Sequence, residues 1–185
     1  MLLGLFVLVL RFTYKICWQT FVMEHTNCTI KREKLREASD ALYYEVSMLR
    51  VTAITFASDI FGENVSPILN AVLESFAVHV RVLIDFFYSE NPRKDDIIAE
   101  HFFLTPNRWQ GIRPPKSETL VKAKTRANKL LAHLTYTRLK ENLDKRWPVA
   151  EIMKDIENVL DFFLQNVPKE LLGSRWEPNR ESEGK

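Results

Sequence analysis

The feature that most limits what this chain can fold into is the run from Lys31 to Ser58, which contains neither proline nor glycine. Within it Leu35, Ala38, Leu42, Val46, Leu49 and Ala53 recur at steps of three and four residues, the period of an amphipathic helix with one apolar face. A helix this long cannot bury its apolar stripe alone, so it demands helical or sheet partners. The rest of the chain offers helices. Five glycines and eight prolines in 185 residues, with 46% hydrophobic residues, argue against a loop-rich β fold. A single domain of this length buries roughly two thirds of the surface its unfolded chain exposes, enough for a core without disulfides or metals.

Ser66 and Pro67 form an N-cap and first-turn pair for a second helix, Pro67 to Tyr88, apolar nearly all round and closed by Asn91-Pro92. Asp95 to Phe103 reads as a short helix. Leu104 to Lys116 holds Pro106, Gly111, Pro114 and Pro115 and reads as a loop. Ser117 opens a partial capping box, with Leu120 where Glu is usual, for a third long helix reaching about Arg146. Trp147-Pro148 breaks it, and Val149 to Val167 makes a fourth, with Ile152, Ile156, Val159, Leu160 and Phe163 on one face. The expected class is all-α: an up-and-down four-helix bundle with one additional short helix. Residues 173–185, polar and poor in apolar side chains, read as a disordered tail.

Residues 1–22 read as an apolar extension. Leu2 to Leu10 has the length of a signal h-region, but no charge precedes it, Arg11 and Lys15 follow it, and it lacks a small-residue cleavage site. Extending it to span length takes in both cations, at about 2.5 to 3.5 kcal/mol each, against roughly 0.3 to 0.6 gained per large apolar residue. A misassigned start codon and a weak membrane segment are the two explanations, with membrane contact the lesser of them. Cys17 and Cys28 have neither a disulfide framework nor a zinc spacing, so a reducing cytoplasm is expected. With no metal-ligand cluster and no phosphate-binding glycine loop, neither metal nor cofactor is expected.

A net charge of +2 says little about partners, so the distribution of charge matters more than its total. On the second helix Asn70, Glu74, Arg81 and Asp85 fall within a sector of roughly 60°. Such a stripe on an apolar helix must be paired, solvated at a cleft or used at an interface. Arg81 bridging Asp85 and Glu74 is the structural explanation; support of a polar site is the functional one. His79 points toward Val72, Phe76 and Leu83 and reads as a buried structural histidine. Between Lys116 and Arg146, nine Lys and Arg face three acidic residues. Lys122, Arg126, Lys129 and His133 follow a 4, 3, 4 spacing on one face of that helix. The lysines suit a solvated face or contacts to a phosphate-bearing substrate. An Arg and a His two turns apart also suit RNA cleavage without a metal, with His moving the proton of a 2′-hydroxyl and Arg bracing the phosphate.

At Arg126-Ala-Asn-Lys-Leu-Leu-Ala-His133 the chain resembles the HEPN superfamily, four-helix domains of toxin-antitoxin and phage-defence systems and of several RNases, whose signature is an Arg followed at short spacing by a His. The likeness covers roughly residues 31–167. Asn128–Arg138 and Glu74–Arg81 also resemble a group of bacterial helical proteins without an assigned activity. The resemblance implies Arg126 and His133 as a catalytic pair, with Asn128 as accessory polar group, and a homodimer. Since many HEPN-like domains bind without cleaving, it implies first a non-catalytic module for RNA, a nucleotide or a protein such as a cognate antitoxin, and second a metal-independent endoribonuclease. A membrane-tethered helical protein is the third reading.

Overall fold

The computed structural model describes residues 31–58, 67–132, 136 and 147–177, and among them every regular element is helical, so the all-α expectation holds. Helix α1 covers residues 31–57 and buries Leu42, Val46, Leu49 and Ala53, the face its spacing predicts. Two hydroxyls also go under, and each stays bonded within the helix: Ser39 donates to the Arg36 carbonyl at 2.8 Å and Thr52 to that of Met48 at 2.7 Å.

Helix α2 (Pro67–Tyr88) changes character along its length. Its N-terminal third is largely exposed, whereas Phe76, Val80, Leu83, Ile84 and Phe87 are buried. By length and composition α2 alone, among the described residues, could cross a membrane. Its C-terminal end is fixed by a tertiary bond instead of a local cap. The Phe87 carbonyl, one of the last-turn acceptors that a helix cannot satisfy internally, takes the Trp109 indole N–H at 2.9 Å and an Arg113 N–H at 2.9 Å. Trp109 is 1% exposed.

The segment expected to be a plain loop therefore contains a helix. Helix α3 (Arg108–Ile112) follows Asn107, which turns the chain with φ 59°, and Glu100 caps it, its carboxylate accepting from the amides of Trp109 (3.4 Å) and Gln110 (3.0 Å). The short helix expected from Asp95 contracts to a 3₁₀ turn at Ala99–Phe102. Phe163 sits among the rings of Phe86, Phe102 and Trp109, at centroid separations of 5.4, 5.6 and 5.5 Å in edge-on geometry. Each such contact adds about 0.5 to 1.5 kcal/mol beyond area burial.

Ser117 caps helix α4 (Glu118–Arg126) as its position predicts, accepting from the Leu120 amide at 3.1 Å while donating to Asp155 at 2.5 Å. The long third helix departs from expectation at Ala127, where Ala127–Ala132 winds as a π-helix. Helix α5 (Val149–Asn166) buries Ile152, Ile156, Val159, Leu160 and Phe163, the predicted face in full. Contacts between helices place them against one another. Glu45 of α1 meets His79 of α2, and Arg50 meets Glu157 of α5. Phe76 of α2 lies by Trp147, just before α5, and Phe86 by Phe163, so α2 and α5 run the same way.

The first residues of the segment read as a tail, Gly173 to Glu177, are structured. Ser174–Trp176 forms a 3₁₀ turn strapped across α1: the Gly173 amide donates to the Ser39 hydroxyl (2.6 Å), the Trp176 indole to the Ser39 carbonyl (2.8 Å), and Tyr43 meets the Trp176 ring edge-on. Residues 178–185, the remainder of that expectation, lie outside the described residues, as do residues 1–30. A Cβ at Gly173 would overlap the Asp40 carboxylate, which would have to swing aside and give up the Arg175 amide. Gly173→Ala should cost about 1 to 3 kcal/mol of stability, read as a lowered thermal midpoint with loss of the near-ultraviolet signal of Trp176.

Candidate functional site

Helix α4 has three faces with different neighbours. Leu120, Ala123 and Ala127 are buried in the core. Lys122 and Arg126, one turn apart, look to one side; Lys124, about 160° round the helix from Arg126, looks to the other. The residues singled out in the sequence consequently divide between two clefts.

The larger cleft, about 820 Å³, lies between α1, α2, the chain after α2 and the start of α4; Arg81, Asp85, Lys116 and Lys124 are on its walls. Asp85 pairs with Lys124 at 2.5 Å and lies 3.8 Å from the Arg81 guanidinium. The stripe's salt bridge is thus mainly one between helices, and Glu74, exposed, takes no part in it. Arg113 and Lys116 stand over the Tyr88 ring at 5.1 and 5.9 Å. Burial pushes the Tyr88 phenol above its ordinary range, and the Arg113 guanidinium works against that rise. The walls carry five carboxylates, Glu45, Asp85, Glu90, Asp95 and Asp96, against four cations, so this cleft holds no surplus of positive charge for an anion.

The smaller cleft, about 610 Å³, lies between α4 and the start of α5, with Lys122, Arg126 and Trp147 on its walls and the carboxylates of Glu118 and Glu151 balancing the two cations. Arg126 is half-buried, its guanidinium 5.1 Å from the centroid of the Trp147 ring. That stacking fixes the plane of the guanidinium against the ring. Lys122 holds Glu118 at 2.7 Å in an exposed pair within one turn, and this contact lowers the Glu118 pKa. Trp147, chosen in the sequence only as a helix breaker, is the aromatic wall that spacing could not reveal.

Lys129 is exposed beyond the cleft wall. Asn128 turns inward, with its side-chain oxygen buried and without a hydrogen-bond partner among the described residues. His133 lies outside the described residues. The expectation that positions 126 and 133 share a face assumed 100° per residue; the intervening Ala127–Ala132 segment bonds i→i+5 and so carries more residues per turn than an α-helix. His79 is buried, as expected, but its partner comes from another helix: its Nδ1 lies 2.7 Å from Glu45 Oε2, with Tyr44 edge-on at 6.1 Å.

Among the described residues no group of His, Cys, Asp or Glu is placed to hold a metal ion. No protein-family model, curated protein or solved structure matches this chain.

These two inward-facing side chains should respond oppositely to truncation. Arg126→Ala should destabilise by about 1 to 2 kcal/mol through loss of its stem and of the stacking on Trp147. Asn128→Ala, by removing a buried unsatisfied oxygen, should be neutral or stabilising by up to about 1 kcal/mol. Urea unfolding of the two variants checks both.

Proposed function

We propose that the protein is an up-and-down four-helix bundle of HEPN-like type, formed by α1, α2, the α4 helix with its continuation, and α5, and that it acts in the cytoplasm as a non-catalytic binding module for RNA or a nucleotide. That α2 and α5 run the same way supports the bundle. The observation that carries the binding reading is Arg126: a guanidinium held against Trp147 on the wall of a cleft of about 610 Å³, with Lys122 one turn earlier. A cleft of that volume accommodates a nucleotide-sized ligand. Arg126 offers a fixed fork to a phosphate, Lys122 adds a mobile charge that exchanges its exposed carboxylate for a phosphate oxygen, and Trp147 supplies an aromatic surface at the same wall.

Binding is favoured over cleavage because the π-helical turn removes the regular pitch by which the sequence aligned Arg126 with His133. Metal-free cleavage would need both groups on one scissile phosphate. A role in a toxin-antitoxin or defence system, with a cognate antitoxin as protein partner, follows from the HEPN likeness alone.

Fluorescence anisotropy with a single-stranded RNA oligonucleotide tests this. Two phosphate contacts should give a log–log salt slope of about −1.4, and Lys122→Ala should reduce it to about −0.7. His133→Ala should leave affinity unchanged. A salt slope of zero would sink the reading, whereas cleavage in EDTA that depends on both Arg126 and His133 would replace it with the endoribonuclease.

A further inference from the structure

The cleft between α4 and α5 holds a charge that phosphate contacts leave unexplained. Ser117, at the start of α4, bonds Asp155, and Arg126, at its end, lies against Trp147 just before α5, so the two helices run in opposite directions. Glu151 falls midway between Trp147 and Asp155, which sets it level with residues 121 and 122, across the cleft from Lys122. Lys122 nonetheless takes Glu118, one turn away on its own helix. The Glu151 carboxylate is exposed on the cleft wall and takes no hydrogen bond or ion pair among the described residues. Its place in the first turn of α5 suits a negative charge, because the helix N-terminus is the positive end of the dipole. A bare phosphate in the same cleft is repelled by it. Both observations fit a ligand that turns an anionic group toward α4 and hydrogen-bond donors toward α5.

We infer that Glu151 reads the base of a bound nucleotide and selects guanine. The inference rests on the nucleotide reading of the Arg126 cleft and names what that site prefers. An ionised carboxylate is an acceptor only, with two oxygens side by side. Guanine answers it with two adjacent donors on its Watson–Crick edge, N1–H and the N2 amino group, so both oxygens are met at once. The other bases set an acceptor against it. Adenine places a bare N1 beside its amino group, cytosine a bare N3 beside its own, and uracil flanks its N3–H with two carbonyl oxygens. A polar group built to be hydrogen-bonded discriminates strongly against a ligand that cannot complete the bonds. Along α4, the level of Glu151 lies about 6 to 7.5 Å from Arg126 at 1.5 Å per residue, which separates the base contact from the guanidinium that takes the phosphate.

Isothermal titration of the full chain at low salt with GMP, AMP, CMP, UMP and IMP tests the assignment. GMP should bind at least about tenfold more tightly than AMP, CMP or UMP. IMP, which keeps N1–H but lacks the N2 amino group, should fall between them, and this comparison needs no altered protein. Glu151→Gln should weaken GMP about tenfold while leaving AMP unchanged or slightly tighter, so that the preference collapses. If Glu151 acts through charge alone, its neutralisation tightens every nucleotide alike, and that result overturns the inference. Equal affinities for GMP, AMP and UMP, all weakened by Arg126→Ala, overturn it as well but leave the nucleotide reading standing. Failure of every nucleotide to bind also overturns it, and the salt slope measured with RNA then decides the binding reading on its own.

Discussion

The indole N–H of Trp109, donating to the Phe87 carbonyl inside a ring of phenylalanines, is the interaction on which the rest of this structure depends. It settles two problems together. The end of α2 lies in the core, where water cannot satisfy its last carbonyls, and an unmet backbone acceptor there costs about 1 to 3 kcal/mol. Trp109 supplies the donor and also the largest ring against which Phe163 packs. Arg113 supplies a second donor to the same oxygen and, by standing over Tyr88, draws the chain toward the start of α4. The orientation of α4, and with it the division of its cations between two clefts, follows from this one anchored turn.

The long helices were legible because their signal is local and repeated. The buried faces of α1 and α5 are those the three-and-four spacing identifies, down to Leu42, Val46 and Leu49 in one and Ile156, Leu160 and Phe163 in the other. Ser117 was legible as a cap for the same reason. Segments held by distant partners were not. Pro106, Gly111, Pro114 and Pro115 signal a loop, and nothing local announces that Glu100 will cap Trp109 and Gln110 from the preceding turn. Gly173 to Glu177 reads as tail because its few apolar groups and donors find their partners on α1, far back in the chain.

The candidate site was half legible. Charge excess draws attention to α4, and Arg126 of that helix lies on a cleft wall. The helical wheel assumes a uniform pitch, whereas the segment after Arg126 winds as a π-helix, and His133 lies outside the described residues. Asp85 shows a second limit. The sequence pairs it within α2, but Lys124 from a facing helix comes closer than Arg81 does. A wheel shows which residues share a face, and only packing shows what that face meets.

The strap over α1 also has a consequence in time. Gly173 and its bond partner Ser39 are separated by 134 residues. At synthesis rates of about 5 to 20 residues per second, roughly 7 to 27 seconds pass between their emergence. Throughout that interval α1 has its apolar face made but not its clasp, and the closing contact is among the least local in the fold, the kind whose loop entropy slows folding most. In a newborn chain the Ser39 and Tyr43 end of α1 therefore stays without its strap until Gly173 to Trp176 have emerged.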